Sequence, residues 1–350
     1  MSADDAFVRQ FAERLGGSSD EDAAELLARL VEQMRIEAVA MLMEKLPPAY
    51  DLDYAAHPIQ LLVSSSEIAL RSVSVEKEPF TVEWIERSIR PGDVFYDIGA
   101  NVGAYSLIAA KATANSARIF AFEPSASSFH DLCRNVVLNG CAESVVPLPI
   151  ALWSDDQALS LEQTSVVAGA AQHRITHRPT SGEPSAVTIL GVRLDVLVER
   201  FGLPTPTHAK IDTDGYELDV LGGAERTLTR PEWRSIIIEL DREATSRNRE
   251  IKELLEDSGF GTWREHERLP SPSFPNPEGR PDIYWTFTRP TRAPRRRPLR
   301  SSRSRSTPIR TAQRRAVTAT LAVVTCLFLL LVFLPEQLGD RPYDVFGLKF

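Results

Sequence analysis

Residues 93–288 predict an α/β fold with a doubly wound, mostly parallel sheet. Short apolar runs alternate there with stretches of helical periodicity, and a small-residue turn follows the first run. Candidate strands are 93–97, 118–122, 145–150, 207–212, 234–240, a weaker run near 260–265, and 281–288. Candidate helices near 104–112, 125–138, 193–201, 216–228 and 246–257 lie between them. Strand–helix alternation of this kind builds a parallel sheet covered by helices on both faces.

The elements before that core read as a cap, residues 1–90. Ala23, Leu26, Leu27, Leu30, Val31 and Met34 recur at intervals of three and four, which predicts a helix over 19–46. Ser19 and Asp22 resemble a capping box at its start. Such a helix either packs on the main body or pairs with a second copy. Residues 59–63 and 68–75 read as short β-like runs, and residues 80–89 as a helix delivering the chain into the core at 91. Within the core, residues 154–186 are polar and lack clear periodicity. They read as an insertion beside the third strand, either a substrate-facing loop or plain surface.

The net charge of −8 conceals an asymmetry, because residues 289–315 hold eleven arginines and no acid. The body is therefore acidic, and the Arg/Ser/Pro-rich stretch reads as a disordered linker. Residues 316–334, AVTATLAVVTCLFLLLVFL, carry no charge over nineteen positions. At ~1.5 Å per residue that length just spans a hydrocarbon core of ~30 Å. The arginines before it place the body on the cytoplasmic side of a single-pass membrane helix, with residues 335–350 as a short tail across the membrane. The linker has no aromatic side chain for stacking on bases, so anionic lipid headgroups are its expected partner rather than a specific nucleic acid. Cys133, Cys141 and Cys326 are too few and scattered for a disulfide framework or a zinc site. No basic start followed by an apolar run opens the sequence, so no cleavable signal peptide is expected.

The chemistry concentrates in three runs. In DVFYDIGANVGAYS, Asp97, Gly99, Asn101 and Gly103 form the turn between the first strand and its helix. Glycines there let backbone approach a ligand, and helix-start amides offer donors. A dinucleotide site would show G-x-G-x-x-G. This turn opens with an acid and spaces its small residues by two, which suits a cofactor without pyrophosphate, such as S-adenosylmethionine. About twenty residues on, Glu123-Pro124 ends the second strand. An acid there accepts both hydroxyls of a ribose, or is simply a solvated strand-end carboxylate. In the third run, KIDTDGYELDVLGGA, Asp212 ends the fourth strand beside the crevice, followed by Asp214 and Glu217. These last two read equally as helix-start acids meeting the dipole or as functional groups. Glu239 ends the buried run IIIEL, where it positions a substrate hydroxyl or a metal, or pairs with an arginine.

DIGANVGAYS, FEPS with Phe129, Asn135 and Asn139, the run Ala151-Leu152-Trp153-Ser154, KIDTDGYELDVLGGA and IIIEL occur in the order seen in FkbM-type methyltransferases. The chain resembles these class I, Rossmann-like enzymes over roughly residues 59–288. The resemblance implies S-adenosylmethionine as cofactor and a seven-stranded sheet with one antiparallel strand. It also implies methylation of hydroxyls on sugars, glycolipids or secondary metabolites. By that analogy Asp97, Gly99, Asn101 and Gly103 line the methionine part, Glu123 holds the ribose, and Ala151 and Leu152 lie near the adenine. The family usually has Asp-x-Glu-Gly where this chain has Asp212-Thr213-Asp214-Gly215, one methylene shorter in reach.

Transfer to an alcohol needs alignment, exclusion of water and removal of a proton. Asp212 is the first candidate for that proton and Glu239 the second. His173 and His177 have metal-ligand spacing only on a helix. HRITH lacks the glutamate of H-E-x-x-H, and Pro179 follows, so no metal is expected. Two further functions share the fold. A silent scaffold would have a broken cofactor turn, and a nucleotide-cofactor oxidoreductase would need the glycine pattern that is missing.

Overall fold

The computed structural model describes residues 19–45, 49–62, 64–163, 167–169, 173–176, 186–267 and 282–290. The chain divides into two compact units, residues 1–48 and residues 49 onward. The linker beyond residue 290 and the apolar span 316–334 lie outside the described residues. Among the described residues no helix is long and apolar enough to cross a membrane.

In the first unit, two helices replace the single one expected, Asp20–Glu32 and Ile36–Lys45. The first closes on tight bonds from the amides of Gln33 and Met34 to the carbonyls of Leu30 and Val31. Its start is as read: the Ser19 hydroxyl donates to Asp22 at 2.7 Å and accepts from the Asp22 amide at 3.2 Å. On the apolar stripe, Leu27 and Leu30 remain 45% and 37% exposed.

The second unit is built on a seven-stranded sheet. In chain order its strands are β1 (Val94–Ile98), β2 (Arg118–Phe122), β3 (Val145–Leu148), β4 (His208–Ile211), β5 (Ser235–Asp241), β6 (Thr262–Glu267) and β7 (Asp282–Thr288). Their spatial order is β3-β2-β1-β4-β5-β7-β6. Strands β1 to β5 run parallel, and β7 pairs antiparallel with both β5 and β6. Strands β1, β2 and β5 send apolar side chains to both faces, as a sheet covered twice requires, whereas β4 gives Ala209 and Ile211 to one face and His208 and Lys210 to the other. Phe95, Ile119, Ala121 and Ile237 enter one core. Tyr96, Ile98, Phe120, Ile211 and Ile236 enter the other. Strand order reverses between β1 and β4, which opens a crevice at their carboxyl ends.

Residues 49–88 pack into this unit, through Ile59, Leu61, Ile68, Val82 and Ile85. The expected strand over 68–75 is helical instead, Ser66–Arg71 followed by Ser74–Lys77. Distant side chains decide this: the Asp53 carboxylate accepts from the amides of Val75 and Glu76 at 2.9 and 2.7 Å and caps the turn. Asn135 and Asn139 have a structural task of the same kind. They bond the backbone of Gln60 and Leu62 at 2.7 to 2.9 Å and hold the short strand Gln60–Leu62.

The stretch 154–186, which lacks periodicity in the sequence, carries strands of a second sheet. Ala151–Leu152, Gln157–Glu162, Arg174–Thr176 and Ala186–Val192 form it, around Trp153, Leu159, Leu161 and Ile189. Strands of two, three, six and seven residues are too short and too mixed in polarity to show a clear period.

Candidate active site

A cleft of about 290 Å³ opens at the carboxyl ends of β1, β2, β4 and β5. Gly99, Asn101, Glu123, Ala151, Leu152, Asp212 and Glu239 all line it. Seven of the nine residues expected to hold the cofactor or take the proton therefore line this cleft, and Asp214 lines it with them; Asp97 and Gly103 do not.

The turn after β1 explains its own composition. Gly99 has φ 79°, and a Cβ there would lie 1.8 Å from the Asp212 carbonyl oxygen. Only a bare α-carbon lets the ends of β1 and β4 approach this closely. Gly103 has φ 92° and opens the helix Ala104–Ala112, with Leu132 pressed against the space a Cβ would fill. Its glycine answers to helix packing. Asp97 is buried, accepts from the Ser106 hydroxyl at 2.6 Å, and leaves Oδ1 without a hydrogen bond. Burial raises its pKa, with Lys210 pulling the other way.

Glu123 is clasped by two backbone amides. Asn101, at φ 50°, donates its N–H to Oε2 at 2.8 Å, and Ser125 donates to Oε1 at 2.8 Å. Each oxygen retains a second lone pair. Burial pushes this carboxyl up to about 7 in spite of the two amides.

The β4–β5 side is a charged cluster. The buried Lys210 ammonium lies 2.5 Å from Asp212 Oδ2 and 4.9 Å from the centre of the Tyr105 ring. Burial alone would raise Asp212, but Lys210 outweighs it and holds the carboxyl well below the usual range. Glu239 shifts the opposite way, raised by burial and by the charge of Asp212, with which it shares a hydrogen bond. Tyr284 donates its hydroxyl to Glu239 Oε1 at 2.7 Å. Within this carboxyl pair, burial and the charge of Asp212 favour the protonated form of Glu239, and Lys210 favours the ionised form of Asp212. Lys210 also lies beside Asp97 in the β1–β4 register, so one cation serves several buried acids.

Glu217 proves to be structural. Its Oε1 accepts from the Gly215 amide at 2.9 Å and from the Thr213 hydroxyl at 3.1 Å, fixing the turn that puts Asp214 at φ 53°. Gly223 has a packing reason, since a Cβ there would lie 1.9 Å from the Trp153 carbonyl oxygen. His208 is a core histidine, 2.7 Å from the Ser235 hydroxyl.

Sequence reasoning missed Lys210, Tyr105, Tyr284 and Arg71. Only Lys210 carried a signal, a lysine inside an otherwise apolar buried strand. The others arrive from elements far away in the chain. His173 also lines the cleft, its ring nitrogens without a hydrogen-bond partner among the described residues, and His177 lies outside the described residues.

The strand order, the single antiparallel strand and the crevice at the switch point define a class I methyltransferase-like fold. Residues 97–261, just under half of the chain, match the family model of the methyltransferase FkbM domain. The hexuronic acid methyltransferase AglP of Haloferax volcanii is 28% identical over 176 residues, covering 50% of this chain and 68% of that protein. The methyltransferase sdnD of Sordaria araneosa is 28% identical over 220 residues, covering 55% of this chain and 83% of its own length. Among solved structures, methyltransferase FkbM from Methylobacillus flagellatus aligns with 15% identity and a TM-score of 0.38, over 57% of this chain and 44% of that one.

Proposed function

We propose that this chain transfers the methyl group of S-adenosylmethionine to an oxygen of a sugar, a glycolipid or a related hydroxyl-bearing metabolite. One observation carries the reading. A clasped carboxylate, Glu123, and an ionised carboxylate, Asp212, face one cleft across a glycine whose Cβ would collide with backbone. The residues present fit the cofactor. Glu123 offers its remaining lone pairs to the ribose hydroxyls. Gly99 and Asn101 border the methionine part, shaped from behind by Asp97 and Gly103, while Ala151 and Leu152 flank the adenine.

When bound, the cofactor supplies an electrophilic methyl group on a sulfonium. The chain's task is to seat the acceptor oxygen in line with it and to keep water out. Lys210 leaves Asp212 too weak a base to deprotonate an alcohol, which alters the role expected for it. In this proposal Asp212 orients the acceptor by accepting a hydrogen bond from a hydroxyl beside the reacting one, and Glu239, hydrogen-bonded to Asp212, holds that carboxylate in place. The sugar class draws support from the relative described as a hexuronic acid methyltransferase. Membrane attachment through 316–334, with the arginine-rich linker on anionic headgroups, belongs to the same proposal. Co-flotation of the full chain with phosphatidylserine vesicles tests it.

The decisive measurement is titration calorimetry of S-adenosylmethionine into the full chain, followed by transfer of labelled methyl to a panel of sugars, uronic acids and glycolipids. Micromolar binding with label recovered on sugar oxygen is expected. Binding without transfer to any oxygen acceptor would overturn the proposal.

A further inference from the structure

We infer that the His173 imidazole is the general base that takes the acceptor's hydroxyl proton, an assignment resting on the O-methyltransferase reading above. A neutral alcohol attacks a sulfonium methyl slowly unless a base removes its proton as the new bond forms. The acids already placed in the cleft are committed elsewhere. Asp212 is bound to Lys210, Glu239 already holds a proton and accepts from Tyr284, and Glu123 is clasped by two amides.

His173 differs from all of them. Its ring lines the cleft, and both ring nitrogens are shielded from solvent yet have no hydrogen-bond partner among the described residues. A buried polar atom without a partner costs about 1–3 kcal/mol, and such atoms in a cleft call for a ligand. The ring's backbone is anchored from two sides. The Ile175 amide donates to the Tyr216 hydroxyl at 2.7 Å, and Tyr216 belongs to the run that follows Asp212 and Asp214. Earlier in the same segment, Arg71 donates to the Gly169 carbonyl from Nε at 3.2 Å and Nη2 at 2.9 Å. The strand Arg174–Thr176, which follows His173 directly, is therefore tied to the turn after β4, and Gly169 to the helix Ser66–Arg71.

The charged and titratable groups that line the cleft with it are Glu67 and Arg71 on that helix, Lys77, Tyr105 and Glu123, and Lys210, Asp212, Asp214, Tyr216 and Glu239 on and beyond β4. Arg174, next in the chain, faces Glu162 at 3.7 Å. Burial and then the positive charge of Arg71 lower the imidazole's pKa, so it is neutral and able to accept a proton near neutral pH. In the reaction the acceptor oxygen bonds to the methyl carbon as the carbon–sulfur bond breaks. Its electron pair goes to sulfur, leaving a neutral thioether. The hydroxyl proton passes to His173, and the imidazolium then releases it to water.

The test uses the full chain and the variants His173→Gln and His173→Asn, with a sugar-hydroxyl acceptor and a uronic acid carboxylate acceptor. The carboxylate is ionised already and needs no base. Both variants should bind S-adenosylmethionine within about twofold of the parent. With the hydroxyl acceptor, kcat should fall about 10²-fold while KM stays within about threefold, and the rise of rate with pH should disappear. With the carboxylate acceptor, rates should stay within about threefold. Equal losses with both acceptors, retention of hydroxyl transfer, or loss of cofactor binding in both variants would each overturn the assignment. A parent protein that binds cofactor but methylates no oxygen would remove the underlying reading instead, and the base with it.

Discussion

Glu123 and Asp212 occupy equivalent places, at the ends of the two strands that flank β1, yet their electrostatics are opposed. Glu123 is held by two amides and by no bonded cation, and burial pushes it up to about 7. Asp212 is somewhat more open, its side chain 19% exposed, and has the Lys210 ammonium at 2.5 Å, so its carboxyl stays well below the usual range. Amide dipoles carry partial charge, whereas a whole positive charge at bonding distance overcomes desolvation. The same fold thus raises one carboxyl toward neutrality and holds the other well below the usual carboxylate range. Glu239 completes the contrast as the neutral partner of Asp212.

The strongest way to break this comparison is Lys210→Met, which leaves Asp212 and its neighbouring acids without their shared cation. Removing one partner of a buried pair costs about 3–5 kcal/mol, and urea unfolding should show a loss of that size. A change below about 1 kcal/mol would mean that Lys77, 2.7 Å from Glu78, compensates the cluster. Next comes Gly99→Ala, whose methyl would collide with the Asp212 carbonyl at φ 79°. Overpacking and left-handed strain together should destabilise the domain by about 2–3 kcal/mol in thermal unfolding. Gly103→Ala, which meets the end of the Leu132 side chain, should cost visibly less.

Glu123→Gln tests the other half of the comparison. It removes the charge but keeps the shape, so S-adenosylmethionine affinity by calorimetry should fall about 10- to 50-fold. An unchanged Kd would move the ribose elsewhere. The smallest effect is in pH. Glu123 titrates near 7 when folded against an ordinary 4.5, so the folded state holds this proton more tightly than the unfolded chain does. Its contribution to stability is complete below about 4.5 and lost as pH rises through about 7. Cofactor binding runs the opposite way, because the ionised form accepts the ribose hydroxyls. Affinity at pH 6 should be about tenfold weaker than at pH 8, and Glu123→Gln should flatten that slope.

The core strands were legible because each is a compact apolar run ended by a turn, and the structure places them within two residues of their expected bounds at most ends. The lead-in was not, because residues 74–77 turn helical only when the Asp53 carboxylate caps them. The second sheet escaped notice because its strands are short and depend on Trp153 and Tyr216, whose rings meet at 5.3 Å. Motif residues also divided in a way no string of letters indicates. Asn135 and Asn139 hold a strand, Glu217 holds a turn, and Gly223 makes room for Trp153.

Alone, the sequence determined the alternating α/β core, the turn through Gly99 and Asn101, and the acids at the strand ends, since these follow from local periodicity, backbone freedom and residue type. Tertiary structure decided which of those acids are charged. Ionisation depends on what lies within a few ångströms: Arg71 and His173 reach the cleft, and Tyr284 reaches Glu239, only when strands and helices distant in the chain are packed together.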